Sequence, residues 1–148
     1  MVKYLFLALC INIFIQSQQA HAGAFAFQTG ATSIGSGGPN SMGIPPRATD
    51  VGVTYIHKSM YEVNLNLMGL TIAKRHYSKW GGILGLGAGL IISGNGAGPG
   101  LTSLFGYEFF RTKGGYALSM EYAQSTAISF TGHIISPYIV RLGFTKWF

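Results

Sequence analysis

Two His-x-Ser pairs are the best candidates for nucleophilic chemistry in this sequence: His57 with Ser59, and His76 with Ser78. Side chains two residues apart in a β-strand point to the same face, so an imidazole could remove the proton of the neighbouring hydroxyl. Such a pair also needs an acidic group that orients the imidazole. Glu62 follows Ser59 by only three residues, and residues three apart in a strand point to opposite faces. Because the sequence offers no well-placed acidic group, we keep both pairs as an alternative and predict no catalytic residue.

Glu108 and Glu121 are the second candidate, because paired carboxylates can perform general acid–base catalysis. If the turn at 113–114 closes a tight hairpin, Glu108 lies opposite Ser119 and the two carboxylates become diagonal neighbours. Arg141 on the terminal strand is the expected counter-charge, since a buried charge without a partner is strongly destabilising. We interpret these three side chains as a structural ion-pair cluster rather than a catalytic dyad.

No residue spacing in the sequence is typical of a metal or cofactor site. His133 is isolated, and His21 belongs to the first 22 residues. Glycines 85, 87 and 89 do not form the Gly-x-Gly-x-x-Gly run that opens a helix at a phosphate site. We expect small residues here to line a narrow interior. The sequence therefore predicts no metal and no cofactor.

Charged residues are scarce and scattered along the chain. They amount to ten Lys+Arg and four Asp+Glu, or 9% of 148 residues, against about a quarter in an ordinary soluble domain. This composition favours a membrane protein or an unusually apolar secreted barrel. The cations do not cluster as a nucleic-acid surface requires, so no nucleic-acid partner is predicted. For residues 74–76 and Lys79 we predict a basic rim that contacts anionic headgroups.

Residues 1–22 are interpreted as a cleaved secretory signal peptide. A positive charge at Lys3 precedes a short apolar stretch, and a small-x-small cleavage motif ends at Ala22. The apolar stretch is shorter than the ~20 residues that cross a bilayer as a helix. Cys10 leaves with this segment, so we expect residues 23–148 to form one barrel domain without a disulfide.

Alternation of apolar with small or polar residues is the main pattern after this segment. Within 115–124, one face carries large side chains and the other carries small or polar ones; the large ones are Tyr116, Leu118, Met120 and Tyr122. The longest apolar run, 83–92, contains three glycines, which disfavour a helix. Successive residues of a strand point to opposite faces, so the pattern predicts a sheet with one apolar face. In hydrocarbon such a sheet must close, because unpaired backbone groups cost several kcal/mol.

Turn residues divide the chain into eight predicted strands, at 24–34, 50–59, 61–67, 70–78, 82–93, 100–112, 115–125 and 134–148. The longer connections alternate with tight turns and are predicted at 35–49, 94–99 and 126–133. The apolar phase changes at Met68-Gly69, which predicts a turn or a bulge. The predicted fold class is all-β, a closed antiparallel up-and-down barrel. Side chains fill the lumen of an eight-stranded barrel, so a general porin is not expected.

The last eleven residues alternate in the same way and end on an aromatic residue. Tyr138, Val140, Leu142 and Phe144 share the face of the terminal Phe148. This strand resembles the assembly signal of bacterial outer-membrane β-barrel proteins, except at Lys146, where that family prefers an aromatic or apolar residue. The resemblance implies a Gram-negative outer membrane as the location. It also implies lipid, lipopolysaccharide and the barrel assembly machinery as partners, the last through Phe148 and the terminal strand.

The expected function is a structural or surface-interaction role without enzyme activity, and two alternatives stay open. The His-x-Ser pairs resemble the pair of the lipid A deacylases, which would imply a lipid A-modifying hydrolase. In that family the pair lies on a late strand and is followed by Asn, whereas both pairs are early here and Ser78 precedes Lys79. The second alternative is a soluble, secreted, lipocalin-like binding protein, because lipocalins also have eight strands.

Overall fold

The computed structural model describes residues 23–32 and 48–148. All regular elements in these ranges are strands: β1 Gly23–Thr32, β2 Ala48–His57, β3 Tyr61–Asn66, β4 Gly69–Tyr77, β5 Gly82–Ser93, β6 Gly96–Arg111, β7 Tyr116–Ile128, β8 Ile134–Ile135 and β9 Tyr138–Trp147. No helix in the two ranges is long and apolar enough to cross a bilayer. The predicted signal peptide at 1–22 and most of the predicted 35–49 connection lie outside the described residues.

The strands form one antiparallel sheet that closes on itself. Each strand from β1 to β7 pairs with the next one in sequence, and β9 pairs with both β7 and β1. The two-residue β8 continues the pairing at the end of β7. Strands β8 and β9 therefore act as one eighth strand that is interrupted at Pro137, whose nitrogen has no hydrogen to donate. The predicted eight-stranded up-and-down barrel is confirmed.

A two-residue turn, Leu67-Met68, causes the phase change that the sequence shows at Met68-Gly69. Asn66 pairs with Gly69, and the Oδ1 atom of Asn66 accepts a 2.8 Å hydrogen bond from the Met68 nitrogen. Gly69 has a φ of 117°, and a Cβ atom there would collide with the carbonyl oxygen of Leu90 on β5. The residue that follows this turn, the first of β4, must therefore be glycine.

The predicted connection at 94–99 is wrong, because β6 begins at Gly96 and leaves only residues 94–95 in the turn. The glycines that suggested a loop instead allow close approach of β6 to β7. A Cβ atom on Gly98 or Gly100 would collide with the backbone of Ile128 or with Ala127. Strand β7 likewise continues to Ile128, which shortens the predicted connection at 126–133.

The barrel wall has a polar inner face and an apolar outer face at mid-height. Polar and charged side chains fill the interior and are 0–9% exposed; they include Gln28, Thr54, Asn64, Thr71, Arg75, Thr102, Ser119, Glu121, Ser125, Arg141 and Thr145. Apolar side chains share the interior with them: Ile56 and Trp147 near the chain termini and Ile91 and Ile135 near the opposite end. A third buried apolar cluster consists of Met68, Ile83, Leu104, Ala123 and Ile139. The interior is thus packed, and its centre is ionic.

Candidate functional site

Glu121 and Arg141 form the ion pair that the sequence predicts. Strands β7 and β9 place the two residues directly opposite each other. The Nη2 and Nε atoms of Arg141 donate hydrogen bonds of 2.9 and 3.1 Å to Oε2 of Glu121. Both side chains are only 2% exposed. Arg141 is confirmed as a counter-charge of Glu121 inside the barrel.

Glu108 does not join this pair, which corrects the predicted cluster. It lies opposite Ser119 as expected, but its carboxylate pairs with Arg111 at 2.9 Å. A β-bulge between Glu108 and Phe110 causes the difference. The bulge adds one residue to β6, so Arg111 turns to the inner face where regular alternation would have pointed it outward. Glu108 thereby acquires a closer partner than Arg141.

Arg75 occupies the centre of the interior, whereas the sequence predicts a basic rim there. Its Nη1 and Nη2 atoms donate hydrogen bonds of 2.7 and 3.0 Å to the two carboxylate oxygens of Glu121, and its Nε atom pairs with Glu62. The rim assignment is therefore wrong for this residue. Alternation could have corrected it, because Leu70 and Ile72 face outward on even positions and Arg75 is odd. The same argument places Glu62 on the inner face, because Val63 and Leu65 on the same strand point outward.

Glu62, Arg75, Glu121 and Arg141 are called the lumen cluster below. Two carboxylates face two guanidinium groups, so the formal charge of the cluster is zero. Burial of charges is stabilising only when the geometry is good and the remaining polar atoms are hydrogen-bonded. Glu121 meets this condition because Gln28 and Ser119 also donate to its carboxylate, at 3.1 and 3.3 Å.

A chain of uncharged polar groups connects the lumen cluster to strands β1, β2 and β3. The Oε1 atom of Gln28 accepts hydrogen bonds of 2.8 Å from both Thr54 and Asn64. Gln28 therefore joins the ionic centre to three neighbouring strands through one side chain. A cavity beside the cluster, partly lined by Thr71 and Thr102, measures ≈ 10 Å³, which is space for about one water molecule. We infer that side chains rather than solute occupy this part of the lumen.

The two His-x-Ser pairs differ in what the structure shows of them. The Nδ1 atom of His57 lies 2.7 Å from Oγ of Ser59 in the exposed turn between β2 and β3. The Ser59 nitrogen also points to this Nδ1 atom, at 3.3 Å, so the pair stabilises its own turn. Ser78 accepts a 2.7 Å hydrogen bond from the Gly82 nitrogen in the next turn on that end. Glu62, the acid nearest to Ser59 in sequence, points into the lumen.

Neither a group of metal ligands in the described ranges nor a similar known protein points to a function for this site. The described ranges contain no group of three or more His, Cys, Asp or Glu residues that could hold a metal ion. The comparisons with known proteins gave no match to a protein-family model, a curated protein or a solved structure. The distribution of polar and apolar side chains on the two faces of the barrel is therefore the main basis for a functional proposal.

Proposed function

We propose that this protein is an integral β-barrel of a bacterial outer membrane with a structural or surface-interaction role and a closed lumen. The outward side chains support this proposal most directly. Each of the eight strand positions of the barrel exposes large apolar residues, for example Phe27, Val53, Leu65, Ile72, Leu86, Leu101, Met120 and Leu142, which are 42–70% exposed. Apolar surface that extends around a whole barrel matches a hydrocarbon environment, because soluble monomers rarely expose more than a few hundred Å² in one patch.

Aromatic side chains near one end of the barrel support the same proposal. They lie on the outer face near the chain termini and are called the aromatic girdle: Phe25, Tyr55, Tyr61, Tyr107, Phe109, Tyr116, Phe144 and Phe148. Several of these rings contact each other, such as Phe25 with Tyr55 at 5.0 Å between centroids. Girdles of aromatic residues are typical of the membrane–water interface of outer-membrane barrels.

The lengths of the connections suggest an orientation. The turns 58–60, 78–81 and 112–115 at the end with the chain termini have three or four residues each. At the other end the connections 67–68 and 94–95 have two residues and 129–133 has five, but fifteen residues, 33–47, separate β1 from β2. The longest connection therefore belongs to the end opposite the termini. Outer-membrane barrels have short periplasmic turns and longer external loops. We therefore propose that the termini face the periplasm. Lipid and lipopolysaccharide would surround the barrel, and the assembly machinery would bind the terminal strand.

Phe148 is well placed for that last role. Its ring is 61% exposed on the outer face and lies 6.1 Å from the ring of Phe25. Its nitrogen donates a 2.9 Å hydrogen bond to the carbonyl oxygen of Gly23. The final residue thus lies where β9 meets β1, at the seam that must close last when the strands assemble in sequence order.

The two alternatives make opposite demands on the molecule. A soluble lipocalin-like protein needs a polar outer face and an apolar cavity for its ligand. The described residues have an apolar outer face, and buried ion pairs occupy the interior beside its apolar clusters. A lipid A-modifying hydrolase is favoured only by the 2.7 Å contact of His57 with Ser59. In the proposed orientation this pair faces the periplasm, away from lipid A.

A serine variant tests the hydrolase alternative. Lipopolysaccharide from cells that express Ser59→Ala should carry the same acyl chains as lipopolysaccharide from cells that express the unchanged protein. A modification that is present with the unchanged protein and lost with Ser59→Ala would favour the hydrolase.

Cell fractionation with gel migration tests the membrane proposal. The full chain, expressed in a Gram-negative host, is expected in the outer-membrane fraction and should be released only by detergent. The folded barrel should migrate faster on a gel before boiling than after it, because a closed barrel resists denaturation by detergent. Recovery from the periplasm without detergent would contradict the proposal and favour the lipocalin-like alternative.

A further inference from the structure

All lysines of the described residues lie at the barrel end that carries the chain termini. Lys58, Lys79 and Lys113 lie in the three short turns at this end, and Lys74 and Lys146 project outward from β4 and β9 close to it. The turns and loops described at the opposite end, 67–68, 94–95 and 129–133, contain no Lys or Arg. We call these five lysines the basic collar.

The side chains of two collar lysines extend along the apolar outer face toward the barrel end. The Nζ atom of Lys74 lies 4.4 Å from the ring centroid of Tyr61 and donates to the carbonyl oxygen of Ser59. The Nζ atom of Lys146 lies 4.0 Å from the ring centroid of Tyr116 and donates to the carbonyl oxygen of Gly114. Long side chains that extend from an apolar surface to its polar boundary place their charge at headgroup depth.

The collar has little neutralising charge of its own. Two acidic side chains are described near this end: Glu62 points into the lumen and pairs with Arg75, and Glu108 pairs with Arg111 at 2.9 Å. Asp50, Glu62 and Glu121 are at most 2% exposed and face the interior. None of the described Asp and Glu side chains therefore forms a salt bridge with the five ammonium groups, which lie at the barrel end beside the aromatic girdle.

We propose that the basic collar binds the phosphate groups of anionic phospholipids in the leaflet at the termini end of the barrel. This inference rests on the proposed function, because it needs the barrel to span a bilayer. The proposed orientation puts the collar on the periplasmic side, where the leaflet consists of phospholipid. The tyrosine rings hold two of the ammonium groups at the height of the headgroups, and each ammonium keeps donors for a phosphate oxygen.

Tryptophan fluorescence can report on lipid binding at the collar. Trp80 lies in the turn beside Lys79 and is 75% exposed, whereas Trp147 is 3% exposed inside the barrel. The full chain is reconstituted into vesicles of mixed phosphatidylcholine and phosphatidylglycerol, with bromine on the acyl chains of one lipid at a time. Stronger quenching of Trp80 by the brominated phosphatidylglycerol measures its enrichment near the collar. We expect a preference of about fivefold, the factor that corresponds to one basic residue near an anionic surface.

Two matched variants assign the preference to charge. Replacing the five collar lysines by Gln should reduce the preference to about one, and replacing them by Arg should retain it. High salt should weaken the preference in the unchanged protein. Migration of unboiled samples on a gel shows whether each variant is folded, and the salt dependence tests the proposal even if the Gln variant does not fold.

The outcomes separate the inference from the proposed function. Equal quenching by the two lipids, or a preference that the Gln variant retains, would overturn the collar proposal while the barrel still inserts. Stronger competition by lipopolysaccharide than by phosphatidylglycerol would overturn the choice of phospholipid. Failure of the folded chain to insert into any vesicle would overturn the proposed function and the collar proposal together.

Discussion

At the residue scale, the polar interior depends on Glu121. Its carboxylate accepts hydrogen bonds from Arg75, Arg141, Gln28 and Ser119, which come from four different strands. One side chain therefore connects β1, β4, β7 and β9 across the lumen. Loss of its charge would leave two buried guanidinium groups with incomplete partners, which is more costly than exchange of the whole cluster for apolar residues.

Replacement of Glu121 by Gln should destabilise the barrel by about 3–5 kcal/mol, because removal of one partner leaves the other charges buried and unpaired. The measurement is the urea concentration at which unboiled samples lose their folded migration in detergent. Lys58→Gln removes one charge from an exposed turn and serves as the control, with an expected change within about 0.5 kcal/mol. Equal midpoints for the two variants would contradict the structural role of Glu121.

Arg141→Ala should also lower the melting temperature, but by less than Arg75→Ala. Arg141 contributes two hydrogen bonds to one carboxylate, whereas Arg75 contacts both Glu121 and Glu62. Thermal unfolding followed by circular dichroism in the same detergent gives the order of the two variants. An unchanged melting temperature for Arg141→Ala would show that its pair with Glu121 adds nothing to stability.

The sequence could predict part of the lumen cluster but not all of it. The pair of Glu121 with Arg141 follows from alternation along two adjacent strands and the register of one hairpin. Arg75 was misassigned because its neighbours Lys74 and His76 suggested a basic surface, although its odd position points it inward. The partner of Glu108 was not predictable, since it depends on a bulge that no turn residue indicates.

At the scale of elements, tight turns fix the register of the barrel. The turn after β3 has only two residues, and Gly69 follows it as the first residue of β4, in a backbone conformation that other residues rarely adopt. Sequence alternation located this point but left a turn and a bulge equally open, because both change the phase by one residue. The hairpin at 112–115 shows a related limit. The Thr112 nitrogen donates to the carbonyl oxygen of Tyr116, and the carbonyl oxygen of Thr112 accepts from the Gly115 nitrogen. This places Ala117 opposite Arg111, and the β6 bulge then restores the predicted pairing of Glu108 with Ser119.

Gly69→Ala should prevent or strongly slow assembly of the barrel. Its φ of 117° is unfavourable for alanine, and the added Cβ would also collide with Leu90. Gly114→Ala is the matched control, because the nearest atom to a Cβ there is an ordinary 3.6 Å away. Refolding from urea into detergent micelles, followed on unboiled gels, measures the yield of each variant. Equal yields would contradict the described geometry of the turn.

At the scale of the whole molecule, the exposed apolar side chains of the outer face are the main argument for a lipid environment. The fold class followed from alternation, because period-two patterns with one apolar face allow few closed arrangements in hydrocarbon. The glycine-rich stretch 96–100 left the number of strands correct but misplaced the start of β6, since composition does not distinguish a loop from closely packed strands. The sequence also predicts small residues on the inner face, and the structure places the large apolar side chains on the outer face. This arrangement carries the functional proposal.

Leu86→Arg on the outer face should impair membrane assembly. An arginine at the bilayer midplane costs a membrane barrel about 2–4 kcal/mol, and near the interface about 0–1 kcal/mol. Trp80→Arg in the turn at the barrel end is therefore the control with a small expected effect. The measurement is the folded fraction after refolding into phospholipid vesicles. If Leu86→Arg folds as well as the control, the outer face does not meet hydrocarbon.

The central claim is that the apolar side of the wall faces lipid. A nitroxide label attached at Leu86→Cys in a Cys10→Ser background tests it most directly, with Lys113→Cys in a turn as the reference site. Molecular oxygen concentrates in hydrocarbon, whereas a nickel complex stays in water. In vesicles, the label at Leu86 should therefore collide more often with oxygen than with the nickel complex. The label at Lys113 should show the reverse order. A label at Leu86 that meets the nickel complex as readily as the turn label does would contradict the account.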